Sequence, residues 1–304
     1  MPRYYAATGS ARPQPRAALG SVPRQVPRPA DYKERVLKQF NQRAEAYDTG
    51  NVYHPPLAVR LTELARLQRG ETVLDVGAGT GFVSLPAAQA VGPGGHVTAV
   101  DLCPTILTKA AEKAQSAGLH NLTCLSADID RCRFPEATYD AILSSSTVPF
   151  LPDIPWSLAQ WHAWLRPGGR VAFNVPKGVG SQAFTIFSSV MAEYGHLLSD
   201  PSQQFEDEAQ VRALLEAAGY SRSQLETSQE ANVRVGQTPE QWAESGWRAC
   251  LSMPFADLPS LLSAEELKEA KERYLASAAQ LAAGFASAEG IVEPYMMLWV
   301  LAYK

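Results

Sequence analysis

Nine residues, Val73 to Gly81, constrain this chain more than any others: VLDVGAGTG is an apolar run that meets an aspartate and then glycines at alternate positions. Val73, Leu74 and Val76 have the apolarity of a strand buried on both faces of a parallel sheet. Gly77, Gly79 and Gly81, with only Ala78 and Thr80 between them, strip side chains from the turning backbone, so that it can approach a ligand closely. Three glycines also carry an entropic cost that a plain turn does not require. The segment predicts a strand, a tight turn and a helix, with a ligand at the strand end.

The pattern downstream repeats that unit. Strands are expected at 72–76, 96–101, 121–126, 139–144 and 170–175, with helices from about 82, from Pro104 and over 153–165. Pro104 suits a first helical position and Gly118 closes that helix. Strand and helix in alternation define an α/β fold with a doubly wound, Rossmann-like sheet. Beyond Pro176 the reading gives helices near 180–195 and 206–217, a strand within 223–235, a helical region over 238–286 and a last strand from Tyr295 to Ala302. That makes seven strands, mostly parallel. The stretches 177–205 and 237–290 exceed what the sheet needs and are read as helical cap inserts over the carboxyl ends of the strands, where ligands bind. Residues 31–304 are taken as one enlarged domain: an N-terminal helical lid over 31–70, a cofactor-binding core over 71–176, the cap over 177–290 and the last strand over 291–304.

A dinucleotide site wants its third glycine where this chain has Phe82. The Asp75 carboxylate, two residues before the first glycine, suits a cationic ammonium better than a pyrophosphate. S-adenosylmethionine offers an ammonium and no phosphate. HVTAVD (His96 to Asp101) ends a second strand in an acid that can accept both ribose hydroxyls. Together with ADI at Ala127 to Ile129 and LRPGG at Leu165 to Gly169, the chain resembles the class I S-adenosylmethionine-dependent methyltransferases. The segment FNQRAEAYD (Phe40 to Asp48) is similar to the ubiquinone/menaquinone C-methyltransferase and related small-molecule branch. The resemblance covers residues 35–176 well and the rest loosely. It implies a final antiparallel strand, S-adenosylmethionine bound by the loop residues 75 and 77–81, ribose held by Asp101 beside Leu102, and adenine held by Asp128 and Ile129, with Asp130 as a rival acid.

Ser144, Ser145, Ser146 and Thr147 follow the fourth strand, where acceptors meet the sulfonium in this class. Their hydroxyls can hold an acceptor, or serve the turn itself, and Ser144 is also expected among the cofactor-binding residues. STVPF is not the Asn/Asp-Pro-Pro-aromatic signature of base-amino methyltransferases, and no acids surround it to hold magnesium, so no metal is expected. Tyr47, His54 and His196 are the candidate catalytic groups, Tyr53 a further candidate for ligand contact. Phe184, Phe187, Met191, Tyr194, Trp242, Trp247, Met253 and Phe255 make the inserts aromatic, as a greasy acceptor pocket or as ordinary packing.

The chain has 304 residues, 46% hydrophobic and 19% charged, with a formal net charge of -4. That balance argues against a broad nucleic-acid surface, and no apolar run reaches membrane-spanning length. Cys103, Cys124, Cys132 and Cys250 lack metal or redox spacing and read as reduced thiols. The first thirty residues hold five arginines, six prolines and no acid. They read as a disordered basic leader of a cytoplasmic protein, or as a plastid or mitochondrial transit peptide. The expected partner is a small-molecule acceptor, and its lipophilic, phenolic or quinone-like character follows the branch resemblance. The competing readings are an NAD(P)-dependent oxidoreductase and a non-catalytic S-adenosylmethionine-binding protein.

Overall fold

The computed structural model describes residues 30–49, 53–178, 180–198, 200–251, 253 and 262–304. The basic leader and Phe255 lie outside them. Eight strands form one sheet: β1 (Thr72–Val76), β2 (His96–Asp101), β3 (Leu122–Ser126), β4 (Tyr139–Ser145), β5 (Leu165–Pro176), β6 (Arg222–Val235), β7 (Ala286–Ser287) and β8 (Gly290–Tyr303). Their order is β3-β2-β1-β4-β5-β8-β6, with β7 paired to β8 off that path. The first five strands are parallel, and β8 runs antiparallel between β5 and β6. The seven expected strands are all present, and the two-residue β7 adds an eighth.

Alternate residues of a strand face opposite sides of a sheet, and the strands here are apolar on both. Leu74, Val76, Ile142, Val171 and Phe173 pack in a cluster with Leu158 and Trp161 of α5 (Ile154–Trp164) and Leu215 of α7 (Glu208–Ala217). Val73, Val97, Ala141, Leu143 and Ala172 pack on the other side with Leu57 and Leu61 of α2 (His54–Ala65) and Ala87 and Val91 of α3 (Ser84–Val91). Each fully buried aliphatic side chain contributes about 1.5–3 kcal/mol, so these two clusters hold the three-layer plan together. At the β1–β2 edge, α4 (Pro104–Ser116) packs Leu107 and Ala110 against Ala78 and Ala99.

Two local readings need correction. RPGG is a bulge inside β5 rather than a turn before it: pairing jumps from Tyr139–Leu165 to Ala141–Arg170, and Gly168 takes a left-handed φ of 78° within the looped-out residues. The last strand starts at Gly290, five residues before its apolar run, because Glu293 and Pro294 interrupt the hydrophobic pattern without interrupting the pairing with Asn232 and Ala231.

The cap is built from α6 (Gln182–Glu193), α8 (Pro239–Leu251) and α9 (Ala264–Ala283). The helical region read over 238–286 is thus two helices. A capping box starts α9: the Ser263 hydroxyl accepts from the Glu266 N–H and the Glu266 carboxylate accepts from the Ser263 N–H. Phe187, Trp242, Trp247 and Tyr274 form the centre of an apolar cluster separate from the sheet-facing ones. At the other end of the chain, α1 (Tyr32–Arg43) and a 3₁₀ turn over Ala44–Ala46 precede α2.

Candidate functional site

The glycine loop leaves β1 with a different demand at each glycine. Gly77 has φ 72°, and a Cβ there would lie 2.2 Å from Thr147 Oγ1. A Cβ on Gly81 would collide with Leu85 and crowd Ala110. Around Gly79 a Cβ would meet only Ile106, at 3.9 Å. Two glycines are therefore required by the protein's own packing, and the third faces open space.

That space is a cavity of about 220 Å³ lined by Gly77, Gly79, Asp101, Leu102, Asp128 and Ile129, among others. Asp101 ends β2 with each carboxylate oxygen accepting one backbone hydrogen bond, from the N–H of Gly79 and of Cys103, both at 2.8 Å. Each oxygen keeps a further lone pair for a ligand hydroxyl, and burial holds the Asp101 carboxyl above the usual carboxylate range. Asp128, Ile129 and Asp130 follow β3 on a 3₁₀ turn, the Asp128 carboxylate accepting from the Asp130 N–H.

Asp75 and Ser144 do not border this cavity. The Asp75 carboxylate accepts from the Ser84 hydroxyl at the start of α3, on the far side of β1, and burial pushes its pKa up to about 7. The sequence reading sets this carboxylate against a ligand ammonium; in the structure it is turned to Ser84. Ser144 is fully buried and donates to the Val76 carbonyl at 3.1 Å, tying β4 to β1. Its neighbours Ser145, Ser146 and Thr147 face the cavity instead. The Ser145 and Ser146 hydroxyls are buried with no hydrogen-bond partner among the described residues, and Ser146 has a left-handed φ of 54°. Ala78 packs against α4, and Thr80 donates to Asp48 at 2.6 Å.

Sequence reasoning missed five contributors from the segment before β1. Along α1, Lys33, Val36, Leu37 and Phe40 line the cavity at helical spacing, and that spacing was the available signal. Lys33 reaches both Asp128 at 2.5 Å and Asp130 at 2.7 Å. Asp48 meets Lys113 of α4 at 2.6 Å as well as Thr80, fastening the segment after α1 to the glycine loop. No local pattern announces that last pairing, whose partners are distant in sequence.

A second cavity of about 730 Å³ adjoins the first, and Arg43, Tyr47, His54, Ser146 and Phe150 line both. Rings run through the junction: Tyr47 to His54 at 5.6 Å, His54 to Tyr53 at 4.8 Å and Tyr53 to Tyr295 at 5.0 Å between centroids. Burial, then Arg43 and Arg234, lower the His54 pKa to about 4, so its imidazole is neutral at pH 7. Burial pushes the Tyr47 phenol up to about 12. Phe184, Trp242 and Met253 supply apolar lining, while Phe187 and Trp247 belong to the cap's interior. His196 borders neither cavity; it follows α6, close to Glu266.

The arrangement is a smaller cavity at the strand ends opening beside a larger, partly apolar one, the place where α/β proteins of this architecture bind their ligands. Residues 73–169 match the methyltransferase domain family. Aklanonic acid methyltransferase of a Streptomyces species is 32% identical over 216 residues, covering 66% of this chain and 97% of that protein. Demethylmenaquinone methyltransferase of Listeria monocytogenes is 28% identical, over 62% of this chain and 88% of that protein. A methyltransferase-like protein of Bacillus halodurans shares the fold, with a TM-score of 0.54 at 18% identity over 81% of this chain and 98% of that one. The chain belongs to the class I S-adenosylmethionine-dependent methyltransferases and uses S-adenosylmethionine as its methyl donor. Nothing in these relationships supports the oxidoreductase or the non-catalytic binder.

Proposed function

We propose that this enzyme methylates a small lipophilic acceptor of phenolic or quinone-like character, held in the larger cavity against cofactor in the smaller one. The observation that carries the reading is the shared wall of Arg43, Tyr47, His54, Ser146 and Phe150, which brings the two chambers edge to edge. The names of the relatives, an aklanonic acid and a demethylmenaquinone methyltransferase, support a polycyclic or quinonoid acceptor.

Asp101 takes the ribose hydroxyls on its free lone pairs, Ile129 lies against the adenine and Asp128 accepts its amino group, for which Lys33 must yield. The space at Gly79 admits the amino-acid portion. When bound, S-adenosylmethionine supplies an electrophilic methyl on a sulfonium. The α1 lid and the Phe40–Phe150 edge contact, 5.9 Å between centroids, exclude water from it. Ser146 and Thr147 orient the acceptor at the junction, and neutral His54, too weak a base at a pKa of about 4 to take a phenol's proton outright, accepts a hydrogen bond from the reacting O–H, whose proton passes on to solvent once the methyl has moved. Alignment and water exclusion are worth up to about 7–11 kcal/mol in favourable cases. The unpaired cysteines support a reducing, cytoplasmic setting.

Incubation with methyl-labelled cofactor and a panel of hydroxylated naphthalenes, naphthoquinones and anthraquinones is expected to move label into the organic phase. Transfer to none of them overturns the acceptor class. Asp101→Asn is expected to weaken S-adenosylhomocysteine binding by more than about tenfold, since a carboxamide keeps one neutral accepting oxygen and offers the other ribose hydroxyl an NH₂ that cannot accept. Unchanged affinity by calorimetry removes the ribose assignment.

A further inference from the structure

Two amide side chains lining the larger cavity are more than nine-tenths buried, Gln39 of α1 at 7% exposure and Asn232 of β6 at 8%. Neither Gln39 Oε1 nor Asn232 Oδ1 has a hydrogen-bond partner among the described residues, and Gln237 Oε1 on the same cavity wall is also unpartnered. A buried carbonyl left unpaired costs about 1–3 kcal/mol. Three on one cavity, from α1, β6 and the residues after β6, are poorly explained by packing.

The orientation of Asn232 is fixed by chemistry. It sits directly across from Glu293 in the β6–β8 pairing. The Glu293 carboxylate accepts from the Gln182 N–H at 3.3 Å, from the Trp242 side chain and from the Asn232 side chain. A carboxylate has no proton to give, so the amide must turn its NH₂ to Glu293 and leave its carbonyl for something else. Arg43, Arg234 and Arg248 line the same cavity and form no ion pair among the described residues, yet none bonds these carbonyls.

We propose that the larger cavity is a hydroxyl-reading subsite: the acceptor is an aromatic bearing at least two O–H groups, one of which, remote from the reacting atom, donates to Asn232 Oδ1. Gln39 Oε1 takes a further donor, and Glu293 is a positioning residue that holds the Asn232 amide. This rests on the reading that the cavity receives the acceptor. It narrows that class from quinones at large to those carrying free hydroxyls.

The test is binding, not turnover. Protein saturated with S-adenosylhomocysteine is titrated with 1,5-dihydroxynaphthalene and with 1,5-dimethoxynaphthalene, which has the same ring and oxygens but no donor. The diol is expected to bind more than about tenfold tighter, because the ether leaves the carbonyls unpaired. Asn232→Leu is expected to reduce the ratio below about threefold while S-adenosylhomocysteine affinity, read as the check on folding, stays the same. Glu293→Leu is expected to act like Asn232→Leu, and Glu293→Gln, whose carbonyl can still accept from Asn232, to restore discrimination. Equal affinities in the native protein, no binding of the diol, or a ratio that survives Asn232→Leu overturns the subsite and leaves a merely hydrated cavity. Label transfer to an acceptor without such discrimination removes the subsite alone. Discrimination without transfer to any acceptor keeps it and removes the proposed acceptor class.

Discussion

Asp75 and Asp101 end neighbouring strands and face different surroundings. Asp101 borders the smaller cavity, whereas Asp75 points back toward α3, where its carboxylate accepts from Ser84. Burial dominates at Asp75, and its folded pKa of about 7 lies well above the ordinary 3.8. A raised carboxyl pKa means the folded state holds its proton longer. The associated stability is present below about pH 3.8 and is lost as pH rises toward 7. Asp75→Asn removes that loss, so its stability relative to the native protein should rise between pH 5 and pH 8 by on the order of 2 kcal/mol in urea unfolding. A pH-independent difference would show that the carboxylate is already stabilised in the fold. At this scale the sequence was half legible. Asp101, Leu102, Asp128 and Ile129 line the strand-end cavity, as residues at strand tips do, whereas Asp75 and Ser144 each lie one position inside a strand end and turn their side chains to Ser84 and Val76 instead.

Elements follow the same division. The five parallel strands and their helices were readable from apolar runs and from Pro104 and Gly118. The lid helix was readable as a helix, but its attachment was not, since Asp48, Thr80 and Lys113 come together only through tertiary structure. Charges of this kind, partly exposed, contribute at most about 1 kcal/mol to stability, and we propose that they act on ligand release by fastening the segment after α1 to the glycine loop. Asp48→Ala should leave the urea midpoint nearly unchanged and release S-adenosylhomocysteine several-fold faster in stopped-flow displacement. An unchanged dissociation rate would detach Asp48 from closure. The bulge at Gly168 and the early start of β8 escaped the sequence reading for a shared reason: strand pairing, unlike helical periodicity, is decided by a partner distant in sequence.

Over the whole molecule, the apolar cluster of α6, α8 and α9 is distinct from the two clusters that face the sheet. Trp247, packed on Phe187 and Tyr274 at 5.3 Å each, is central to it, apart from the cofactor residues. Truncating a buried aromatic costs about 3–5 kcal/mol, and here the loss should fall on the cap. Trp247→Ala is expected to abolish naphthalenediol binding and open α6, α8 and α9 to hydrogen exchange while S-adenosylhomocysteine binding persists. Simultaneous loss of both ligands would mean that the cap and the sheet melt together. Since five of the described residues are common to the two chambers, the walls that β6 and the cap helices give the larger one can be rewritten while the smaller one is left untouched. Selectivity can then drift, or be bred, one wall at a time, and a descendant of this chain can change its diet without relearning its chemistry.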